Sequence, residues 1–485
     1  MAAQNIFLIH PEYEAVIGIE THVQLKTNSK IFCSCPNKFG DQPNTNICQI
    51  CCGHPGVLPI LNKKVVDFAI LAGLATRSTI CSKGNFARKH YFYPDLPKNY
   101  QITQDKTPIC SDGYLLISTL DGTEKKVRIM RMHMEEDAGK NIHTSIGSSL
   151  VDLNRAGTPL LEIVTHPDIS NAHEAKSYLT RLHNLVRYLQ ISDANMEQGS
   201  FRADVNISVK KKSDSKLGTR AEVKNINSFK YITQAIDFEI ERQIKLLESG
   251  EKIVMQTRLW DSKTNQTYAM RSKEDATDYR YFTEPDLPEL VIDQEWIDKI
   301  KHKIPELPDE KLARLQKEYN ISIYEAEILI NDKILADFFE ETAQISQKPK
   351  LVCNWILRDL LGYLKEHKQE ITESLVTPEL LAELVTVIDT GIINTKTAQT
   401  VFAEMADTGK APSLIIKEKN LGQIGSQEDI EKIILEVIQA NPENVAKYRA
   451  GNLRVFTFFV GEVMKATKGK ANPKIITEIL TKNLI

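Results

Sequence analysis

The stretch VIGIETHVQL, Val16 to Leu25, alternates with a period of two from Ile17 onward. Ile17, Ile19, Val23 and Leu25, with Thr21 among them, hold one set of positions, and Gly18, Glu20, His22 and Gln24 hold the other. Side chains of an extended chain point in turn to the two faces of a sheet. The segment therefore predicts a strand with one face in a core and a glutamate beside a histidine on the other. The pattern returns downstream. SFRADVNISV sets Phe201, Ala203, Val205, Ile207 and Val209 against Arg202, Asp204, Asn206 and Ser208, and TRAEVKN sets Ala221 and Val223 against Arg220, Glu222 and Lys224. In RIMRMHMEEDAGK one register carries Arg131, His133 and Glu135 and the other Met130, Met132 and Met134, with Glu136 and Asp137 at the strand's end. PLLEIVTHP carries Glu162 inside an apolar run. The solvated face of an antiparallel strand commonly bears charges, but several strands with the same habit predict one shared polar face.

Carboxylates and an imidazole held on rigid strands can chelate a hard cation such as Mg²⁺, which keeps water and substrate phosphates in its remaining positions. His22, Glu136 and Glu162 have arms short enough to converge. Lys98, Arg202, Arg220 and Lys224 offer cations for phosphate oxygens, and Asp204, Asn206 and Glu222 on the same faces complete the candidate nucleotide-binding set. There is no GxxxxGK[ST] and no GxGxxG between a strand and a helix, so ATP would be held by the sheet and not by a phosphate loop. The paired serines of IGSSLVD have no partnering motif and read as a loop.

The chain has 8 cysteines, and five of them fall between residues 33 and 52. Clustered cysteines in a long chain suggest metal more than disulfides. Cys33 and Cys35, then Cys48 and Cys51, form CxC, twelve residues and CxxC, two close pairs that can surround a tetrahedral Zn²⁺. The intervening Asn, Pro, Gly and Asp offer little core for four buried thiols. A site of four sulfurs leaves no open position for substrate, so this metal is structural. Cys52 adjoins a ligand without being one, and Cys81, Cys110 and Cys353 read as core or partly exposed thiols.

A length of 485 residues exceeds one ordinary core. Residues 1–295 are rich in short alternating segments and turns, interrupted by the helical stretches KKVVDFAILAGLAT and NAHEAKSYLTRLHNLVRYLQ, which predicts an α+β domain built mainly on antiparallel sheet. Residues 296–410 show apolar positions at three- and four-residue spacing and predict a helical domain. After the link ADTGKAPS a second helical unit covers 411–485. It carries the stripe Phe456, Phe459, Val460 and Val463, and from Lys447 onward it sets Lys447, Arg449, Arg454, Lys465, Lys468, Lys470, Lys474 and Lys482 against Glu462 and Glu478. With a net charge of −3 overall, attraction to nucleic acid has to come from a local patch such as this one. The N-terminus lacks the pattern of a secretory signal, and no apolar run approaches the roughly 20 residues of a membrane span. The expectation is a cytoplasmic protein with no membrane contact.

YEAVIGIETHVQL, HPGVLPILN, RKHYFYPDLPKNYQITQ, RMHMEEDAGK, LVDLNRAGTPLLEIV, EVKNINSF, DYRYFTEPDLP and VGEVMKATKGKANP resemble, in order and over nearly the whole chain, the GatB/GatE family of tRNA-dependent amidotransferase subunits. The resemblance implies an α+β cradle, a helical domain and a YqeY-like tail that binds tRNA. It implies that ATP and Mg²⁺ serve to phosphorylate the side-chain carboxylate of Glu-tRNA(Gln) or Asp-tRNA(Asn). Ammonia from the glutaminase, or A, subunit then displaces phosphate, and a small C subunit straps the A and B subunits together in a heterotrimer. The family's metal-binding residues fall on His22, Glu162 and either Glu136 or its neighbour Glu135, with Glu20 beside them. Lys98 matches a lysine on the ammonia route. Since not all relatives keep the four cysteines, zinc would be scaffold. The tail has Asn452 where many relatives carry a lysine, with Arg454 nearby, and the chain has no room for the inserted domain of the archaeal Glu-tRNA(Gln)-specific relative. The alternative is a zinc-stabilised subunit that binds tRNA without catalysis, which suits the cysteines and the basic tail but not the carboxylate and histidine faces.

Overall fold

The computed structural model describes residues 10–144, 147–272, 279–421, 427–450, 452–467 and 473–484. The alternating segments become one 12-stranded sheet. Its main strands are β1 (Tyr13–Gln24), β2 (Phe86–His90), β3 (Tyr100–Gln104), β4 (Cys110–Ser118), β5 (Glu124–Glu136), β6 (Pro159–Thr165), β7 (Phe201–Lys211), β8 (Ala221–Lys224), β9 (Gln256–Asp261), β10 (Gln266–Ser272) and β11 (Phe282–Thr283). They run in the order β10-β9-β8-β7-β1-β6-β5-β3-β2-β11, with β4 paired to the earlier part of the long β5 on the same edge as β3. The pairs are antiparallel except β8 with β9. β1 alternates between buried and half-buried at every residue. A slip of one residue would turn Glu20 and His22 into the core and Ile17 and Ile19 out of it, so the register is strongly specified.

The apolar face is covered by α1 (Lys63–Ala75), α2 (Ala172–Tyr188) and α3 (Phe229–Glu248), which join Ile17, Ile19, Val23, Met132, Ile163 and Val205 in one core. Each helix starts on a side-chain cap: Asn62 accepts from Lys64 N, Asn171 from Glu174 N and Ser228 from Tyr231 N. The sequence suggested two helices in this region; α3 is a third. Its buried stripe is interrupted by Glu239 and Gln243, both fully buried. Gln243 accepts from Val209 N at 3.0 Å and donates to Ile207 O at 3.1 Å, extending the ladder along β7. Glu239 is paired with Arg242 and Arg258. Polar groups with such partners can occupy core positions, and they break the apolar period that marks a helix.

The chain divides into two compact units, Met1–Leu307 and Pro308–Ile485. Helix Gln294–Lys301 belongs to the first: Ile300 is in its core, and Trp296 Nε1 donates to Asp67 Oδ1 at 2.8 Å. The second unit is all helical among the described residues. Helices from Pro308–Tyr319 to Pro412–Glu418 share one core, in which Pro349–Trp355 runs through a π-helical turn, Ile356–Leu360, into Leu361–His367. Gln427–Ala440, Pro442–Arg449, Val455–Ala466 and Pro473–Leu484 build a separate small core around Phe459, Val463, Ile476 and Leu480. Lys468, Lys470 and the side chain of Lys474 lie outside the described residues. No helix searched is long and apolar enough to cross a membrane.

Candidate active site

Register decides which polar residues meet. Opposite residues of an antiparallel pair share a face, and His22 lies opposite both Glu162 on β6 and Arg202 on β7, while Glu162 also lies opposite His133 on β5. Glu20 lies opposite Asp204. His22 Nε2 is thereby 3.5 Å from Glu162 Oε2, 3.6 Å from Glu20 Oε1 and 3.7 Å from Glu135 Oε1. His22, Glu135 and Glu162 form one set able to hold a metal ion, and Glu20, His22 and Asp204 another, with ligand atoms within 4.8 Å of one another in each.

The adjacent acids Glu135 and Glu136 go to different places, since neighbours on a strand alternate. Glu135 turns to His22 and accepts from Thr103 Oγ1 at 3.2 Å. Glu136 is ion-paired with Lys98 and accepts from Ile102 N at 2.9 Å. Lys98 and Glu136 are therefore brought to each other and not to the histidine. Lys98 also passes under Gly53, where its Cγ lies 2.6 Å from the position a β-carbon would take.

Electrostatics bind the cluster tightly. Burial opposes a charge on His22, but a hydrogen bond to Glu162 and the nearby Glu135 and Glu20 outweigh it and raise the imidazole above its ordinary value. Burial likewise opposes His133, whose Nε2 is 2.9 Å from Glu162 Oε2, and the carboxylates push it up to about 9. Burial acts to raise Glu162, yet the two histidines hold it far below the carboxylate range. Glu20 is raised by burial and by Glu162. Without a metal the His133–Glu162 pair thus stabilises fully between the ordinary carboxylate range and about pH 6.5; it weakens in strong acid, where Glu162 gains a proton, and is lost as pH rises through about 9, where His133 loses one. A divalent cation held by this set would compete for the same groups. Its affinity is expected to rise across that window with release of protons, measurable by titration calorimetry in buffers of different ionisation enthalpy; affinity independent of pH there would contradict the pairing.

Toward β7 and β8 the cluster opens onto a cavity of about 510 Å³ lined by Gln24, Arg155, Arg202, Asp204 and Asn225. Asp137 organises this wall, accepting from Gln24 Nε2 at 2.9 Å and Arg202 Nη2 at 3.0 Å. Arg202 Nε is buried without a hydrogen-bond partner, a donor left over for a ligand. Burial opposes the charge on Lys224, but Asp204 and Glu222, 2.9 Å and 3.2 Å from its Nζ, outweigh it and raise the ammonium above its ordinary value. Asn206 lies opposite Gly18 and Glu222. Arg220 precedes β8, exposed, and is not part of the cavity wall. Residues Asn37–Asp41, between the two cysteine pairs, form the cavity's other side.

The sulfurs of Cys33, Cys35, Cys48 and Cys51 lie within 4.8 Å of one another, and those of Cys48 and Cys51 are 3.9 Å apart. Tetrahedral Zn–S bonds of about 2.3 Å place sulfurs roughly 3.8 Å apart, so the donor set fits one such ion. Cys51 is pulled down to about 4 by a hydrogen bond from Cys33, against burial and with help from Lys30. Lys30 is fully buried, and its ammonium donates to Asn46 O at 2.7 Å and lies 3.7 Å from Cys51 Sγ. Cys52 and Cys81 are half-buried; Cys110 and Cys353 are buried. Sequence patterning put His133 and Asp137 on or near this face without assigning them a role. It missed Lys30 entirely, because a lysine in a core is a rare outcome.

Residues 15–298 match the family model of the GatB/GatE catalytic domain, and residues 337–484 match that of the GatB domain. The chain is 52% identical over 473 residues to the B subunit of the aspartyl/glutamyl-tRNA(Asn/Gln) amidotransferase of Thermodesulfovibrio yellowstonii, covering 98% of this chain and 99% of the relative. The protein of the same name in Geotalea daltonii is 53% identical over 477 residues, and that of Thermoanaerobacter pseudethanolicus 48% over 473, each covering 98% of this chain and 99% of the relative.

Proposed function

The chain belongs to the GatB/GatE family, and from that premise we propose that it is the subunit of a glutamine-dependent tRNA amidotransferase that activates the side-chain carboxylate of Glu-tRNA(Gln) or Asp-tRNA(Asn) with ATP. The observation that supports this most is the convergence of His22, Glu135 and Glu162 beside a cavity carrying the unpartnered Arg202 Nε. A carboxylate is a poor electrophile because its leaving group would be oxide. Its oxygen attacks the γ-phosphorus of ATP, the bond to ADP breaks, and the acyl phosphate now carries a good leaving group. Ammonia attacks the acyl carbon, phosphate departs, and the nitrogen loses a proton to give the amide. In this reading His22, Glu135 and Glu162 hold Mg²⁺, with Glu20 and Asp204 beside them. Such an ion, when bound, offsets charge on the transferred phosphoryl group. Arg202, held by Asp137, and Lys224, held by Asp204 and Glu222, position the nucleotide's phosphates. The buried Lys98–Glu136 pair lies on the path of ammonia, apart from the phosphoryl site, and the four cysteines hold a structural Zn²⁺.

Transfer of label from γ-labelled ATP to the misacylated tRNA by the reconstituted heterotrimer is the direct test. ATP turnover without tRNA, or tRNA binding without transfer, would move the protein to a phosphohydrolase or a carrier.

Residues from about 411 onward are assigned tRNA contact. Pro412–Glu418 packs in the core of the preceding helices, so the informative truncation ends at Leu421. Removing the helices beyond it, whose cations are concentrated from Lys447 onward, is expected to weaken tRNA binding by tenfold or more at moderate salt, and to flatten the dependence of log affinity on log salt. An unchanged slope in a filter-binding titration would end this assignment.

A further inference from the structure

At the opposite side of the acid–imidazole cluster from the cationic cavity, the motif KHYFY forms a wall that the reaction above leaves unused. Lys89, His90, Tyr91, Phe92, Tyr93 and Tyr279 line an open cavity of about 560 Å³. Phe92 is 78% exposed and Tyr93 55%. Rings of this size left together in water generally mark a recognition surface. Two ring pairs order the wall beneath them: Tyr91 and Tyr279 meet edge to face with centroids 6.4 Å apart, and His90 stacks on Phe282, outside the cavity lining, at 4.9 Å. Lys89 connects this wall to the cluster. Its ammonium is 4.9 Å from the Tyr279 ring, and although burial opposes its charge, Glu135 and Glu162 lie near enough to raise it above its ordinary value.

We propose that this aromatic cavity seats the unpaired terminal adenine of the aminoacyl-tRNA, so that the ester-linked amino acid extends past Lys89 to the cluster. The proposal rests on the reading that aminoacyl-tRNA is the substrate, and it assigns that substrate a subsite of its own. Three observations carry it. Exposed aromatic faces with a cation beside them are the chemistry that holds bases of single-stranded ends, which offer flat π faces and no paired partner. The distance is right: β2 is three strand steps from β6, which carries Glu162, on the order of 14 Å at about 4.8 Å per step. A base, its ribose, an ester and a glutamyl or aspartyl side chain span a length of that order. The third observation is charge placement. Arg202, Lys224 and Arg155, suited to a triphosphate, are on the other flank, so the two adenosines of the reaction do not compete for one cavity.

The test uses the complete heterotrimer with Phe92→Ala and Phe92→Trp. Both changes are at an exposed ring, so the core is untouched. Phe92→Ala is expected to raise KM for aminoacyl-tRNA about tenfold with KM for ATP unchanged, and Phe92→Trp to restore it, since stacking needs a ring. A tRNA with 2-aminopurine as its last base should be quenched on binding the parent enzyme and much less on binding Phe92→Ala. An unchanged KM for aminoacyl-tRNA overturns the proposal. So does a rise confined to ATP, which would put the nucleotide's adenine here. Dissociation of the heterotrimer on size exclusion, with normal KM in what remains assembled, overturns it in favour of a protein-binding face. Failure of the parent enzyme to amidate any aminoacyl-tRNA would strike the functional reading itself; an active parent with an indifferent Phe92→Ala strikes only this subsite.

Discussion

Glu135→Gln is expected to cut phosphate transfer from ATP to aminoacyl-tRNA by roughly 10²–10³-fold or more, the range for losing one preorganised electrostatic group, while Glu136→Gln leaves that step within about threefold. The two residues are adjacent in sequence and nearly identical in burial, so composition and exposure do not separate them. Direction does. Glu135 has an oxygen 3.7 Å from His22 Nε2 and faces Glu162 across the same few ångströms, whereas Glu136 serves Lys98 and the backbone of Ile102. Glutamine at position 135 would remove a charge from the ligand set proposed for the cation, with little change in volume. At position 136 it keeps an oxygen for Ile102 N but leaves Lys98 as a buried cation without its counter-charge, which is costly. The expected signature of Glu136→Gln is therefore a lower melting temperature and slower glutamine-dependent amidation, with the phosphoryl step intact. His22→Ala should resemble Glu135→Gln, because its Nε2 touches three carboxylates at once. Equal loss of phosphoryl transfer in Glu135→Gln and Glu136→Gln would refute the division of labour between them.

How much of this was legible in the chain itself depends on the range of the contact. Period-two alternation is local, and it correctly put Glu20, His22 and Asp204 on polar faces and Ile17, Ile19 and Val205 in the core. Which strands adjoin is not local. That His22 would find Glu162 on one side and Arg202 on the other follows from pairings between residues separated by well over a hundred positions, and no pattern within either strand encodes them. The choice between Glu135 and Glu136 stayed open for the same reason: alternation sends the two to opposite faces, but which of those faces meets His22 is decided by pairing with β6 and β3. α3 was hidden by its own chemistry, since Glu239 and Gln243 occupy its buried stripe as hydrogen-bonding groups. The aromatic cavity was hidden differently, because KHYFY is neither alternating nor helical and gains its meaning only when Tyr279 is brought beside it. Arg220, which alternation assigned to the polar face, lies beyond the start of β8 and is exposed, since pairing to the neighbouring strand begins only at Ala221.

The cysteine site has a consequence for chemistry through one glycine. Gly53 follows Cys51 by two residues and adopts φ of 70°, a conformation that costs a residue with a β-carbon about 1 kcal/mol or more. At this position the added carbon would also meet Lys98 Cγ at 2.6 Å and Lys98 Cα at 3.1 Å. The backbone on the far side cannot yield easily, because Cys52 N and Gly53 N are tied to Cys48 O and Ile50 O at 3.0 Å within the CxxC turn. The turn and Lys98 thus occupy each other's space, and a metal that fixes the four sulfurs also fixes the surface against which Lys98 reaches Glu136. Gly53→Ala is expected to displace that lysine and lower glutamine-dependent amidation by about tenfold, while γ-phosphate transfer to aminoacyl-tRNA proceeds and glutamine hydrolysis becomes uncoupled from it. That tenfold is about 1.4 kcal/mol in barrier height. Stripping the metal with a chelator should act on the same step and, in addition, open the segment from Cys33 to Cys51 to proteolysis. Its loss is expected to destabilise the first unit by about 3 kcal/mol, a fall of roughly 6–12 °C in Tm, because the turn and the buried Lys30 lose the charge and the cross-link that hold them. If Gly53→Ala and chelation both slow phosphoryl transfer as much as amidation, the cysteine turn supports the whole cavity and not Lys98 in particular; Asn37–Asp41 on the cavity wall would then be the route.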